Sequence, residues 1–97
     1  MRKNTNPLRC EHVFKVLEKL DTSSKAITEL QLETRISPVA FYHTVIPALK
    51  ELELIQEVYE QGKHNSTKRI IRITEKGRKL LETLTEIWDS IEVVAEA

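Results

Sequence analysis

One cysteine, Cys10, is all the chain has, so no internal disulfide can form and a reducing compartment is the natural setting. Cys10 and His12 stand two apart, but a metal site needs three or four ligands, and His43 and His64 fall in distant elements; no metal is expected. There is no apolar run near the ~20 residues of a membrane span. The start, Met1 to Pro7, carries Arg2 and Lys3 with no apolar segment behind them, so a secretory signal is not expected and the location reads as cytoplasmic. Ser23, Ser24, His12 and Asp21 are accompanied by no nucleophile turn, glycine-rich oxyanion loop or paired carboxylates, so neither an enzyme nor a cofactor is expected. Internal repeats and low-complexity tracts are missing as well. Net charge is missing too, with 15 basic residues against 15 acidic ones, and overall charge gives no argument for a polyanion partner.

What is present is the balance of one globular domain: 97 residues, 40% apolar and 31% charged. A chain of that size buries roughly 60 to 70% of its unfolded surface and folds without staples. The charge is distributed unevenly. Residues 61–72 hold Lys63, Lys68, Arg69 and Arg72 with no acid, whereas from Leu80 onward Glu82, Glu86, Asp89, Glu92 and Glu96 stand with no base. The molecule is polarised along its sequence.

Residues 1–5 read as a loose basic arm. Asn6-Pro7 signals a helix start, and Leu8, Val13, Phe14, Val16, Leu17 and Leu20 give it an apolar stripe that Asp21 to Ser24 end in a turn. Lys25-Ala26-Ile27 is too short to classify, although an extended piece there can lie against a hairpin as a third strand. Thr28 and Gln31 match a capping box opening a short second helix. Ser37-Pro38 opens a third, because serine accepts an N-terminal N–H and proline's φ suits the first helical position.

Phe41, Val45, Ala48, Leu49 and Leu52 recur at three- and four-residue spacing and form this third helix's core stripe to about Glu53. Pro47 sits in its interior and predicts a bend near His43. Two segments rich in β-branched residues, 54–60 and 68–73, flank seven residues containing Gly62 and Asn65 and read as a hairpin with one core side and one basic side.

Thr74 caps a last helix, with Glu75 at the positive end of its dipole. Leu80, Leu84, Ile87, Ile91 and Val94 follow at heptad spacing, with Leu81 and Trp88 as a second stripe. Two stripes on one helix predict that one packs on its own domain and the other on a second copy of the chain. An intersubunit bond through Cys10 is left open.

The order helix, helix-turn-helix, two-stranded wing, helix resembles the winged-helix DNA-binding domains. Ile46-Pro47-Ala48-Leu49-Lys50-Glu51-Leu52-Glu53-Leu54-Ile55 is similar to the end of the recognition helix in the PadR and MarR groups of regulators, with Glu53 where they place glycine. Ile71-Arg72-Ile73-Thr74-Glu75-Lys76-Gly77 resembles their wing exit. The likeness covers about residues 8–97, and small archaeal and archaeal-virus winged helices are nearest in size and style.

The resemblance implies a mainly α fold with a small β-hairpin, a winged helix-turn-helix over 6–77 and a dimerisation helix over 78–97. It implies a homodimeric regulator that binds double-stranded DNA, with any small-molecule effector unspecified. Ser37, Val39, Ala40, Tyr42, His43, Ile46 and Lys50 would face the major groove, while Lys63, His64, Lys68, Arg69 and Arg72 would meet phosphates or the minor groove. Leu80, Leu84, Ile87, Trp88, Ile91 and Val94 would form the dimer seam. That helix face has no Arg, Asn or Gln for bidentate base contact. The alternative function is therefore a winged-helix protein adaptor that docks a partner on this neutral face.

Overall fold

The computed structural model describes residues 8–96, and the side chains of these apart from Asn65 and residues 92–96. Helix α1 spans Cys10–Thr22 and buries Val13, Val16, Leu17 and Leu20, the positions that three- and four-residue spacing aligns on one face. Arg9 precedes it in extended backbone, so the helix starts later than Asn6-Pro7, which lies outside the described residues. Lys25–Ala26 forms the short strand β1, and the chain passes from it straight into α2, Ile27–Thr34. Because α2 starts at Ile27, Thr28 lies inside it and makes no cap.

The turn after α2 works without glycine. Arg35 takes a left-handed backbone, φ 61° and ψ 18°, and its N–H reaches the Gln31 carbonyl at 3.2 Å. Gln31 Nε2 then donates to the Ile36 carbonyl at 2.6 Å, which fixes the approach to the next helix. Ser37 caps that helix, accepting from the Ala40 N–H at 3.3 Å, and Pro38 occupies its first turn.

Helix α3 runs through Pro38–Ala40, Phe41–Val45 and Ile46–Glu51 without leaving helical dihedrals. Its middle piece is π-helical: the Ile46 N–H reaches back five residues to the Phe41 carbonyl. The irregularity falls where the bend near His43 was expected, one turn before the missing N–H of Pro47. A wider turn advances the inward stripe, so Ile46 enters the core with Phe41, Thr44, Val45 and Leu49. Leu52, expected in that stripe, is 48% exposed, because the helix has ended at Glu51.

The helix ends in a Schellman motif. Leu54 N–H bonds the Leu49 carbonyl at 2.9 Å and Glu53 N–H bonds the Lys50 carbonyl at 3.0 Å, with Glu53 left-handed at φ 63°. Strands β2 (Ile55–Gln61) and β3 (Thr67–Ile73) pair antiparallel in the register Ile55↔Ile73 through Gln61↔Thr67, and β1 pairs on the outer side of β3. The expected third strand is thus present, and the ladder runs one pair further into the loop than the sequence suggested.

The last helix, α4, spans Glu75–Glu96. Thr74 anchors its start: its Oγ1 accepts from the Gly77 N–H at 3.0 Å and donates to the Glu53 carbonyl at 2.7 Å. The core lies between α1, α2, α3 and the inner face of the sheet, with Phe41, Leu17, Leu20, Leu30, Leu49 and Ile71 fully buried. From α4, Leu81 joins it, and Leu80 and Leu84 pack on its edge. Extents of 57 × 35 × 23 Å reflect how far the helix runs on.

Candidate nucleic-acid interface

The outer side of α3 and the hairpin beside it form one surface, joined by a carboxylate. Sheet phase places Ile55, Glu57 and Tyr59 of β2 on the same face as Ile73, Ile71 and Arg69 of β3. Near the hairpin base this face is core, through Ile55 and Ile71; directly across from Ile71 it carries Glu57, whose side chain is 3% exposed. Lys50 Nζ, from the end of α3, donates to Glu57 Oε1 at 2.6 Å, and Arg69 Nε donates to Glu57 Oε2. The Arg69 hydrogen bond, working against burial and helped by Lys50, holds the Glu57 carboxyl down from its ordinary 4.5 to about 2. In return Glu57 raises the Arg69 guanidinium above its ordinary value. The carboxylate is therefore charged throughout the physiological range.

Among the recognition-helix candidates, Ser37, Val39, His43 and Lys50 are exposed. Ala40 and Tyr42 are half-buried, the latter ring edge-on to Phe41 with centroids 5.0 Å apart. Ile46 does not belong to the exposed face. It is 3% exposed, carried inward by the π turn.

The wing candidates Lys63, His64, Lys68, Arg69 and Arg72 are all exposed. Lys63 and His64 sit in a 3-10 turn, Lys63–Asn65, with His64 left-handed at φ 58°. Gly62 N–H to the Ser66 carbonyl at 2.6 Å and Ser66 Oγ to the Lys63 carbonyl at 2.7 Å tie this loop across its neck. The hairpin is less one-sided in charge than its second strand alone. Pairing sets Glu60 opposite Lys68 and Gln56 opposite Arg72, while Arg69 leaves the basic side for Glu57. Among the described residues, Lys63, Lys68 and Arg72 make no ion pair.

Sequence reasoning passed over Glu57. Its signal was phase: in the alternation Ile55, Glu57, Tyr59, a carboxylate stands on the side that Ile55 commits to the core. Finding its partners required the hairpin register and the end of α3.

On α4, Leu80 and Leu84 are half-buried, whereas Ile87, Trp88 and Ile91 are 51%, 58% and 54% exposed. Val94 belongs to the residues whose side chains are not described. Among the described side chains the helix is thus divided by length rather than into an inner and an outer stripe: Leu80, Leu81 and Leu84 pack on the domain, and Ile87, Trp88 and Ile91 beyond them are more than half exposed. An open groove of about 830 Å³ between α1 and α4 is floored by Phe14, Leu84, Ile87, Trp88 and Ile91, with the exposed Cys10 at its lip.

Known structures with the same arrangement include a PadR-like transcriptional regulator from Bacillus cereus, 17% identical, with a TM-score of 0.76 over 87% of this chain and 86% of that one. A PadR family transcription regulator from Clostridium difficile is 15% identical, with a TM-score of 0.75 over 86% and 92%. The circadian clock associated protein Pex from Anabaena is 22% identical, with a TM-score of 0.61 over 97% and 90%. The fold is a winged helix. No protein-family model matches the sequence, and no curated protein matches it. In winged-helix terms β2, β3 and their loop are the wing, α2 and α3 the helix-turn-helix, and the Glu57 cluster the joint between them. The Thr74-Glu75-Lys76-Gly77 wing exit works through the Thr74 cap and a close helix contact at Gly77.

Proposed function

We propose that the protein is a double-stranded DNA-binding transcriptional regulator that acts as a homodimer. The reading is supported above all by one observation: the exposed side of α3, with Ser37, Val39, His43 and Lys50, continues into a wing that presents Lys63, His64 and Lys68 toward its loop end and Arg72 near its base. A helix entering the major groove with cations beside it on the backbone is the geometry by which a winged helix holds a duplex. The described neighbours include PadR-type transcription regulators, which agrees with this reading. Specificity comes from few groups, because α3 itself carries His43 and the apolar Val39 in place of a bidentate side chain.

The test is duplex binding against salt. Each phosphate neutralised contributes about 0.9 to the slope of log K against log salt, so Lys68→Glu with Arg72→Glu should flatten it by close to two such steps and weaken binding. Failure of the wild-type protein to bind duplex at low salt would exclude the proposal. The adaptor alternative loses its central apolar contact, since Ile46 is buried, although Val39 remains exposed at 64%. A partner captured through Val39, with negligible DNA affinity throughout, would favour that alternative.

The homodimer is proposed from Ile87, Trp88 and Ile91, apolar and more than half exposed on α4 beside the groove against α1. No other described element covers them. Affinity to the small archaeal or archaeal-virus type is proposed on the short wing and the simple layout of one domain and one long helix.

A further inference from the structure

The guanidinium that α3 lacks is brought to its side by the wing. Arg69 pairs across the hairpin with the exposed Tyr59, and its Nε donates to Glu57, whose other oxygen accepts from Lys50 at the end of α3, so it stands at the junction of wing and helix. Its Nε is committed to Glu57, and among the described residues its two terminal amines have no protein partner. The Arg69 side chain is 44% exposed. Glu57 is itself held, 3% exposed, with its other oxygen taken by Lys50 at 2.6 Å. For stability alone an apolar side chain at position 57 would serve about as well, since the attraction within a buried ion cluster is largely cancelled by desolvation. What the cluster supplies that an apolar residue cannot is a fixed direction for Arg69.

We propose that Glu57 is a positioning residue for DNA binding: by accepting from Arg69 Nε it aims the terminal amines of Arg69 outward as a two-pronged clamp on a DNA phosphate beside α3. The proposal rests on the DNA-binding reading above. A guanidinium held in one orientation forms both bonds with little further loss of side-chain freedom, and a fork matches phosphate oxygens as an ammonium cannot. Lys50, on the same carboxylate, ties the clamp to the end of α3, so that helix and wing meet the duplex as one rigid surface.

Glu57→Gln tests this because charge and geometry predict opposite signs. Removing a negative charge from a DNA-facing surface should tighten binding if charge alone matters; losing the anchor of Arg69 should weaken it. The probe is mixed-sequence duplex of about three helical turns, followed by fluorescence anisotropy over a range of salt. The expected result is about tenfold weaker binding by Glu57→Gln, the scale of one charge-assisted hydrogen bond. In an Arg69→Gln background the same change should produce no further loss. Arg69→Lys, which retains the charge but not the fork, should bind about as weakly as Arg69→Gln. A Glu57→Gln protein that is folded at the assay temperature and binds as tightly as the wild type or more tightly overturns the proposal. Should that variant fail to fold, Arg69→Lys decides: wild-type affinity overturns the clamp, and weakened affinity supports it. Wild-type protein that does not bind the duplex even at low salt removes the DNA-binding reading and this role with it, whereas wild-type binding with an unweakened Glu57→Gln removes this role alone.

Discussion

Glu53 takes a left-handed backbone, φ 63°, at the position after the α3 cap where a side chain crowds its own carbonyl. Only its N–H and carbonyl are used, the first by Lys50 and the second by Thr74, and its side chain is exposed. Relief of left-handed strain is worth about 1–2 kcal/mol, and the extra freedom of glycine in the unfolded chain takes back roughly 0.5–1. Glu53→Gly should therefore stabilise the fold by up to about 1 kcal/mol and raise the melting midpoint by a few degrees; a lower midpoint in calorimetry would contradict this account of the turn. Gly77 is the opposite case. A Cβ there would lie 2.2 Å from the Leu54 carbonyl oxygen and 2.8 Å from Ile73 Cγ1, and the first of these is backbone that cannot swing aside. Gly77→Ala should push α4 away from the wing base and cost about 2 kcal/mol or more, read as a shift in the urea midpoint. The two residues explain each other: the chain departs from the familiar glycine where only a dihedral is at stake and retains it where there is no room.

At the scale of elements, helix and wing are locked by the Glu57 cluster, and this sets a pH dependence. The folded-state pKa of Glu57 is depressed from 4.5 to about 2, chiefly by Arg69. Its contribution is thus fully present above about pH 4.5 and is lost as pH falls toward 2. Wild type should exceed Glu57→Gln in stability by on the order of 1–3 kcal/mol near neutrality, the half-exposed cations screening the rest, and the gap should close by about pH 2. Urea midpoints of the two proteins that stay equally far apart at about pH 6 and about pH 3 would argue that the carboxylate is not what holds the joint. Element order was legible in the sequence because it rests on local rules: the α1 stripe, the Ser37-Pro38 start and the Thr74 cap all act within a few residues. The inward turn of Ile46 was not, since a π turn shifts helical phase by one residue and periodicity assumes it does not. Nor could the sequence show that Arg69 faces Glu57 while Lys63, Lys68 and Arg72 make no ion pair among the described residues, because strand register and an α3 side chain decide it together. The candidate site was therefore readable as a region, and its internal wiring was not.

At the scale of the whole molecule, the question is what covers the far part of α4. Leu81 is 8% exposed in the core, yet one to three turns further on Ile87, Trp88 and Ile91 are more than half exposed on the same element. Leaving three large apolar side chains in water forgoes roughly 1.5–3 kcal/mol for each that burial would recover, which favours a partner surface over a solvated helix. A second copy would meet the need most simply, because its own α4 would bring the same strip and its own groove between α1 and α4 would accept it in a two-fold arrangement. Ile91→Asp and Trp88→Ala should then leave the monomer's far-UV spectrum unchanged, since neither residue is packed in it, while shifting sedimentation to a single chain at tens of micromolar. The consequence for DNA is quantitative. A two-fold dimer sets two α3 helices on half-sites about 10–10.5 base pairs apart or a multiple of that, and both wings release counterions together. The monomeric variant should retain about half the wild-type salt slope and lose the preference for paired half-sites. Wild-type protein that sediments as a monomer, or an Ile91→Asp variant with the full slope, would show that one chain binds alone and that the apolar end of α4 serves something else.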